Sequence, residues 1–372
     1  MRIGATFDGG NIEVIEADRP EAVRLAIRRD TKAEFLQWFD FRLAGAAGSD
    51  CALVIENAGE TSYPRGWEDY RAVASYDLET WFRVPTEYDG RTLTIRHRPD
   101  HELVEYAYFA PYPLARHRAL VARLQTRAGV RAGVVGASVE GRDLDLVQTG
   151  GGRLCCWIVG RQHPGETQAS WWMEGFLERL TDPDDALARM LRREAVFRVV
   201  PHMNPDGAVA GNLRTNAAGA NLNREWHEPS EAASPEVFHV RRMMEETGVD
   251  FLLDVHGDEA LPYNFIAGPE GVPDLAPAIL QLRTRFCEAF ARACPDFQTT
   301  HGYPPAPDGK ADLRICTKQV AHRFGCLAMT LEQPFKDNAI APDPIHGWSP
   351  ARCRGLGAAA LDALAAVIGD LR

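Results

Sequence analysis

The 372-residue chain predicts two folds in series. Residues 1–112 are expected to form an antiparallel β-sandwich domain, and residues 113–372 an α/β domain whose mostly parallel or mixed sheet is flanked by helices. Three observations carry this reading. Up to about residue 110, short strand signals recur at regular spacing with few helical stretches. Phe109-Ala110-Pro111-Tyr112-Pro113 then sets two prolines within three residues, which ends a strand and fixes an extended path. Beyond them, apolar runs of strand length alternate with helical patterns, as expected of strands buried on both faces and joined by helices.

Composition bounds the function. With 45% apolar residues the chain is globular and long enough for two domains. Asp and Glu outnumber Lys and Arg by 52 to 41, a net charge of −11, which argues against the basic surface that nucleic-acid binding needs. Met1 to Asp8 has no long apolar core, so no secretory signal is expected. No run approaches the roughly 18 apolar residues of a membrane span, so no membrane partner is expected. The eight cysteines are scattered without a C-x-x-C pair. Buried free thiols in a reducing cytoplasm are the expected state.

In the first domain, Asp8-Gly9-Gly10 separates strand candidates Arg2–Phe7 and Ile12–Ile15 as a hairpin turn would. Phe35, Phe39, Phe41 and Leu43 follow the two-residue period of a half-buried strand. Cys51–Ile55, Ala72–Tyr76, Trp81–Val84 and Thr92–Arg96 continue the series, with Asp89-Gly90 as a hairpin signal between the last two. No cluster here has a chemical rationale, so its default role is structural, or to shape the entrance of a neighbouring site.

Leu114–Arg127 reads as an amphipathic helix, and Val134–Val139, Glu140-Gly141-Arg142 and Leu144–Gln148 as a hairpin. Four strands come next: Leu154–Val159, Val196–Val200, Phe251–Val255 and Cys326–Leu331. Helices are expected over Gln168–Leu180, Pro235–Thr247 (with Ser234 as N-cap), Ala276–Cys294 and Gly357–Leu371.

The residues just past each strand are informative, because ligands in open α/β sheets bind beyond the carboxyl ends of the strands. His163 and Glu166 lie past the first strand, around a Pro-Gly turn. Pro201-His202-Met203-Asn204-Pro205-Asp206-Gly207 comes after the second, His256-Gly257-Asp258 after the third and Glu332 after the fourth. If these strands are parallel neighbours, two histidines and two glutamates meet at one sheet edge. H-x-x-E alone is common on solvated turns; its weight comes from the other strand ends. His163, Glu166 and His256 make a two-imidazole, one-carboxylate catalytic zinc set with a position open for water, and Glu332 is the candidate base. Copper or nickel would also suit the nitrogens. The segment from Gly211 to Trp226 is long and polar and reads as a functional loop whose arginines suit a carboxylate.

Here the sequence resembles a known family. His163-Pro164-Gly165-Glu166, Asn204-Pro205-Asp206-Gly207, Leu222-Asn223-Arg224 with Trp226, His256 after a strand and the late Glu332 resemble the zinc carboxypeptidases. The leading β-domain and the Phe109–Tyr112 junction resemble the cytosolic carboxypeptidase branch, including its bacterial members. By that resemblance, His163, Glu166 and His256 are the ligands of one zinc per chain and Glu332 is the catalytic glutamate. Arg214 is the carbonyl-polarising arginine, and Asn223 and Arg224 hold the substrate's terminal carboxylate. The implied reaction is hydrolysis of a C-terminal peptide or isopeptide bond by metal-activated water, with peptide or protein C-termini as substrates.

Two departures stand out. Many members carry Asp two residues before the Asn-Arg pair, orienting the first metal histidine; this chain has Asn221, which accepts a hydrogen bond without adding charge. Tyr303 lies in a Pro-rich loop but does not match by position the tyrosine that covers the substrate carboxylate in pancreatic-type enzymes. Two other readings compete: an aspartoacylase-like zinc amidohydrolase acting on small N-acyl amino acids, and a non-catalytic binding module. Relatives in the cytosolic branch remove acidic residues, which implies basic pocket groups; Lys310, Arg314, Lys318 and Lys336 are the candidates.

Overall fold

Ten short strands fill the N-terminal region of the computed structural model, which describes residues 1–371. They are β1 (Arg2–Gly4), β2 (Glu13–Glu16), β3 (Val23–Ala26), β4 (Asp40–Ala44), β5 (Cys51–Ile55), β6 (Val73–Ser75), β7 (Phe82–Arg83), β8 (Thr86–Tyr88), β9 (Leu93–His97) and β10 (Leu103–Ala107). They form two five-stranded sheets, ordered β1-β4-β10-β6-β7 and β2-β3-β5-β9-β8. Every pairing is antiparallel except β3 with β5. Phe39, Phe41, Leu53, Ile95, Trp67 and Tyr106 are buried in their common core.

Two expected hairpins are redirected. The Asp8-Gly9-Gly10 turn forms, with the Gly10 N–H donating to the Phe7 carbonyl at 3.0 Å. It does not join a hairpin, because β1 pairs with β4 and β2 with β3, so the turn carries the chain from one sheet to the other. Asp89-Gly90 does close a hairpin, but β8 is the partner of β9, while β7 pairs with β6 in the other sheet. Two-residue periodicity reveals strands but not which sheet each joins.

The C-terminal region contains α1 (Leu114–Leu124), β11 (Val130–Ala137), β12 (Asp143–Gly150), β13 (Leu154–Gly160), α2 (Gln168–Leu180), α3 (Ala186–Glu194), β14 (Ala195–Val200), α4 (Pro205–Ala210), α5 (Pro235–Thr247), β15 (Phe251–Val255), β16 (Phe265–Ala267), α6 (Pro277–Ala293), α7 (Cys316–Phe324), β17 (Leu327–Glu332) and α8 (Pro350–Ala365). Its seven strands run in the order β11-β12-β14-β13-β15-β17-β16. The central four, β14-β13-β15-β17, are parallel neighbours, and the flanking pairs are antiparallel. The four strand ends named from the sequence therefore share one edge. Strand β13 is buried on both faces: Cys156 and Ile158 join the core with Trp171, Phe176 and Leu361, whereas Trp157 and Val159 join the one with Val240, Met244 and Val320. Among the described residues no helix is long and apolar enough to cross a membrane.

Helix α8 begins at Pro350, seven residues before the expected start at Gly357. Glycine lowers helix propensity, yet the close approach of α2 and α8 requires it. A Cβ on Gly357 would lie 2.1 Å from the Trp172 carbonyl oxygen, and one on Gly175 2.1 Å from that of Arg354. Ser234 precedes α5 as expected, but its hydroxyl donates to Glu225 (3.3 Å) instead of capping the helix. Strands β3, β8, β10 and β16 and helices α3, α4 and α7 had no sequence signal strong enough to name them.

The two regions interlock. Arg83 is buried and donates to the carbonyls of Phe335 (2.8 Å) and Trp348 (3.2 Å), and Tyr108 stacks on Phe335 at 4.2 Å. The Ala110 carbonyl accepts from Thr167 Oγ1 (2.8 Å) and Trp171 Nε1 (3.0 Å). One buried group works against the fold. Asp40 is fully buried, and the side chain within hydrogen-bonding reach of its carboxyl is another acid, Glu105. Burial, then the nearby Glu105 and Asp8 carboxylates, push its carboxyl well above the usual range. A raised folded-state value means that the stability gained from protonation is present at low pH and lost as pH rises. Asp40→Asn should therefore raise the melting temperature by about 2 °C or more near pH 7.5. Differential scanning calorimetry should find the gain shrinking towards about pH 4, near the unfolded value.

Candidate metal centre

Strand β13 ends at Gly160, and the turn after it delivers His163 and Glu166 before α2 begins at Gln168. Strand β15 ends at Val255 and delivers His256. All three residues are at least 97% buried. Glu166 joins them: one carboxylate oxygen lies 2.7 Å from His163 Nδ1 and the other 2.8 Å from His256 Nδ1. The two Nδ1 atoms are 3.2 Å apart. The outward ring nitrogens face acceptors, His163 Nε2 at 3.0 Å from Asn221 Oδ1 and His256 Nε2 at 2.9 Å from Asp254 Oδ2. With each Nε2–H donated outward, both Nδ1 lone pairs face the carboxylate across hydrogen-bonding distance. Such a group of converging acceptors requires a cation or protons between them.

The donor chemistry fits zinc. One ligand atom from each of the three residues lies within 4.8 Å of the others, and two imidazoles with one carboxylate are a catalytic zinc set. The electrostatics agree with a cation. Burial opposes ionisation of Glu166, but His163 and His256 outweigh it and hold the carboxyl below its usual range. Burial also disfavours charge on His256, yet Asp254 and Glu166 raise it well above its ordinary value. His163, lowered to about 4 by burial and then by Arg214, stays neutral.

The site opens into a cavity of about 810 Å³ lined by His163, Glu166, Arg214, Asn223, Arg224 and Glu332, among others. Glu332 is the last residue of β17 and is 8% exposed, with one carboxylate oxygen buried and accepting no hydrogen bond. Burial pushes its carboxyl well above the usual range; His256 pulls it down and Glu166, Asp258 and Glu259 push it further up. Asn223 Oδ1 accepts from the Cys316 N–H at 2.9 Å, and Arg224 donates to the Asn223 carbonyl at 2.6 Å. The structure thus brings together all seven residues singled out from the sequence.

Other expectations fare differently. Lys310 and Lys318 line the cavity; Arg314 does not, and pairs with the lining residue Asp312, while Lys336 donates to the Arg65 carbonyl. His202, at the end of β14, is buried against His117 at a ring distance of 5.4 Å and does not line the cavity. That strand end is a buttress: Asp206 accepts from Ser138 Oγ, the Glu140 N–H and Arg142, holding the β11–β12 turn. Tyr303 lines the cavity beside Glu332, with its hydroxyl donating to Asp258.

Four contributors were not foreseen. Asp254 backs His256 and also accepts from Gln162 at 2.7 Å; a lone carboxylate within the buried run Phe251–Val255 was its signal. Tyr63, Glu259 and Arg283 line the cavity from segments with no motif. Burial raises the Glu259 carboxyl to about 8, although Arg214 pulls the other way.

Comparison with known proteins defines the class. Residues 3–109 match the cytosolic carboxypeptidase N-terminal domain and residues 119–276 match zinc carboxypeptidase. An uncharacterised protein of Zymomonas mobilis is 48% identical over 371 residues, spanning 100% of this chain and 97% of that protein. Mouse cytosolic carboxypeptidase 6 is 28% identical over 304 residues, or 72% of this chain and 55% of that protein, so the chain matches little more than half of its length. The metallo-carboxypeptidase of Burkholderia cenocepacia superposes with a TM-score of 0.97 at 46% identity, covering 99% of each chain. That of Pseudomonas aeruginosa, solved with (2-guanidinoethylmercapto)succinic acid, gives 0.98 at 45% identity over 100% of both chains. Fold and site are those of a metal-dependent peptide hydrolase. The chain belongs to the zinc carboxypeptidase family, with the cytosolic carboxypeptidase N-terminal domain in front. The family uses zinc and acts on peptides with free C-termini.

The Asn221 amide behind His163 sets a measurable limit. A carboxylate there would make the imidazole a stronger donor to a metal. Asn221→Asp should tighten zinc binding by about tenfold in competition with a chelator of known affinity; unchanged or weaker binding would show that the amide is no handicap.

Proposed function

We propose that the chain is a cytoplasmic zinc metallocarboxypeptidase that hydrolyses C-terminal peptide or isopeptide bonds, with a β-sandwich domain to residue 112 and a catalytic domain from residue 113. The reading rests chiefly on one observation: the His163–Glu166–His256 cluster opens into the cavity that Glu332, Arg214, Asn223 and Arg224 line. Zinc held by the three ligands would supply a Lewis acid that makes water a nucleophile near neutral pH. Glu332 takes the proton from that water and returns it to the leaving amine. Arg214 stabilises the oxygen that gains charge as the carbonyl is attacked. Arg224 grips the terminal carboxylate with its planar fork, and Asn223, its oxygen already engaged by Cys316, offers its amide hydrogens beside it. The eight free, buried cysteines suit a reducing compartment.

Glu332→Gln removes the base while keeping the shape. It should lower kcat by at least about 100-fold on a peptide with a free C-terminus, while metal analysis still finds near one zinc per chain. Full activity would remove Glu332 from this role. Faster hydrolysis of small N-acyl amino acids than of peptides would instead support the aspartoacylase-like amidohydrolase.

The far end of the cavity bears on side-chain preference. Lys318 donates to the Gly268 and Glu270 carbonyls (2.6 and 2.9 Å), and Arg283 lies 3.4 Å from the Glu270 carboxylate. Around Glu270 two cations face one anion, a local excess of positive charge that suits a modest preference for acidic C-terminal residues. Peptides ending in Glu should be cleaved several-fold, about 3- to 10-fold, faster in kcat/KM than those ending in Leu or Lys. Equal or faster release of Leu or Lys would sink the preference.

A further inference from the structure

The loop that carries Arg214 has no ladder of its own: residues 211–220 are turns and bends without helix or strand. Its backbone N–H groups therefore need partners from elsewhere. Asp30, 4% exposed and in the N-terminal region, supplies them. One of its carboxylate oxygens accepts from the Leu213 N–H at 2.7 Å. The other accepts from the Arg214 N–H at 2.7 Å, the Thr215 N–H at 2.9 Å and Thr215 Oγ1 at 3.1 Å. Its neighbour Thr31 donates twice to Asn212 Oδ1, from N–H at 3.0 Å and Oγ1 at 3.2 Å. The Arg214 guanidinium is flanked by two more N-terminal residues, at 5.7 Å from the Phe35 ring and 5.4 Å from that of Tyr63. The same loop reaches the metal turn, because the Leu213 carbonyl accepts from the Gly165 N–H at 2.8 Å.

We infer that Asp30 is a positioning residue for the reaction: by gripping three successive N–H groups from the neighbouring β-region, it fixes where the Arg214 guanidinium meets the scissile carbonyl. The inference rests on the role proposed for Arg214. It makes the segment between β3 and β4 part of the catalytic apparatus, acting through a backbone and touching no substrate. A displacement of about 1 Å in a group that stabilises developing charge can cost about 100-fold in rate. Arg224 and Asn223 receive no hydrogen bond from Asp30, so substrate affinity should be largely spared.

The test is a double-mutant cycle on the zinc-loaded full chain with a C-terminal peptide substrate. Asp30→Asn keeps the size but replaces one acceptor oxygen with a donor. It should lower kcat by about 10- to 100-fold with KM changed less than about threefold and zinc content unaltered. In an Arg214→Ala background, itself slower by about 100-fold or more, Asp30→Asn should cost less than about a further twofold. If Asp30→Asn does not fold, Asp30→Glu, which keeps both oxygens on a longer arm, should give an intermediate kcat loss that Arg214→Ala again absorbs. A wild-type rate in these Asp30 variants, or a loss that multiplies in full onto Arg214→Ala, overturns the inference and leaves the proposed activity standing. A wild-type rate in Arg214→Ala overturns the role of that arginine and, with it, the inference.

Discussion

Glu166 presents one carboxylate oxygen to the Nδ1 of His163 and the other to the Nδ1 of His256, and it also accepts the Gly257 N–H at 3.0 Å. Three buried groups from two parallel strands are held at hydrogen-bonding distance although their lone pairs point inward. Each imidazole is held from behind, His163 by Asn221 and His256 by Asp254, which fixes both Nδ1 atoms towards the carboxylate. Strand pairing in turn fixes the spacing. Gly160 of β13 lies opposite Val255 of β15, and Val255 opposite Leu331 of β17, so the residues just beyond them arrive at one level. Moving any of these strands by one residue would turn its terminal group away from the cavity.

Much of this arrangement was legible in the sequence because it follows periodic apolar runs and their punctuation. The four central strands and the residues at their ends could be named before their neighbours were known, since a strand buried on both faces is a continuous apolar run. The N-terminal sheets were harder. The turns at Gly9-Gly10 and Asp89-Gly90 are real, but a turn does not say whether the next strand pairs with the last one or crosses to the opposite sheet. Helix α8 was read as starting too late, because Gly355 and Gly357 weaken a helix locally while tertiary packing demands glycine at one of them.

The cavity wall was the least legible part. Tyr63, Glu259, Tyr303 and Arg283 come from four separate segments, and Asp30 and Phe35 act on Arg214 from far along the chain. No local spacing encodes such contacts. Asp254 is the exception: a lone carboxylate in a fully buried strand must find a strong partner, and the histidine two residues on, sharing its face of the strand, is the nearest candidate.

The crossing of α2 and α8 has a consequence for how the enzyme can change. At Gly175 and Gly357 the two backbones touch without intervening side chains, so there is no rotamer to absorb a shift. Any larger residue there must push α2 away from α8, and α2 begins two residues after Glu166. The back of the domain is thus a fixed abutment for the metal ligand at the front. A side chain at either position therefore strains the packing of the helix that follows the metal-ligand turn.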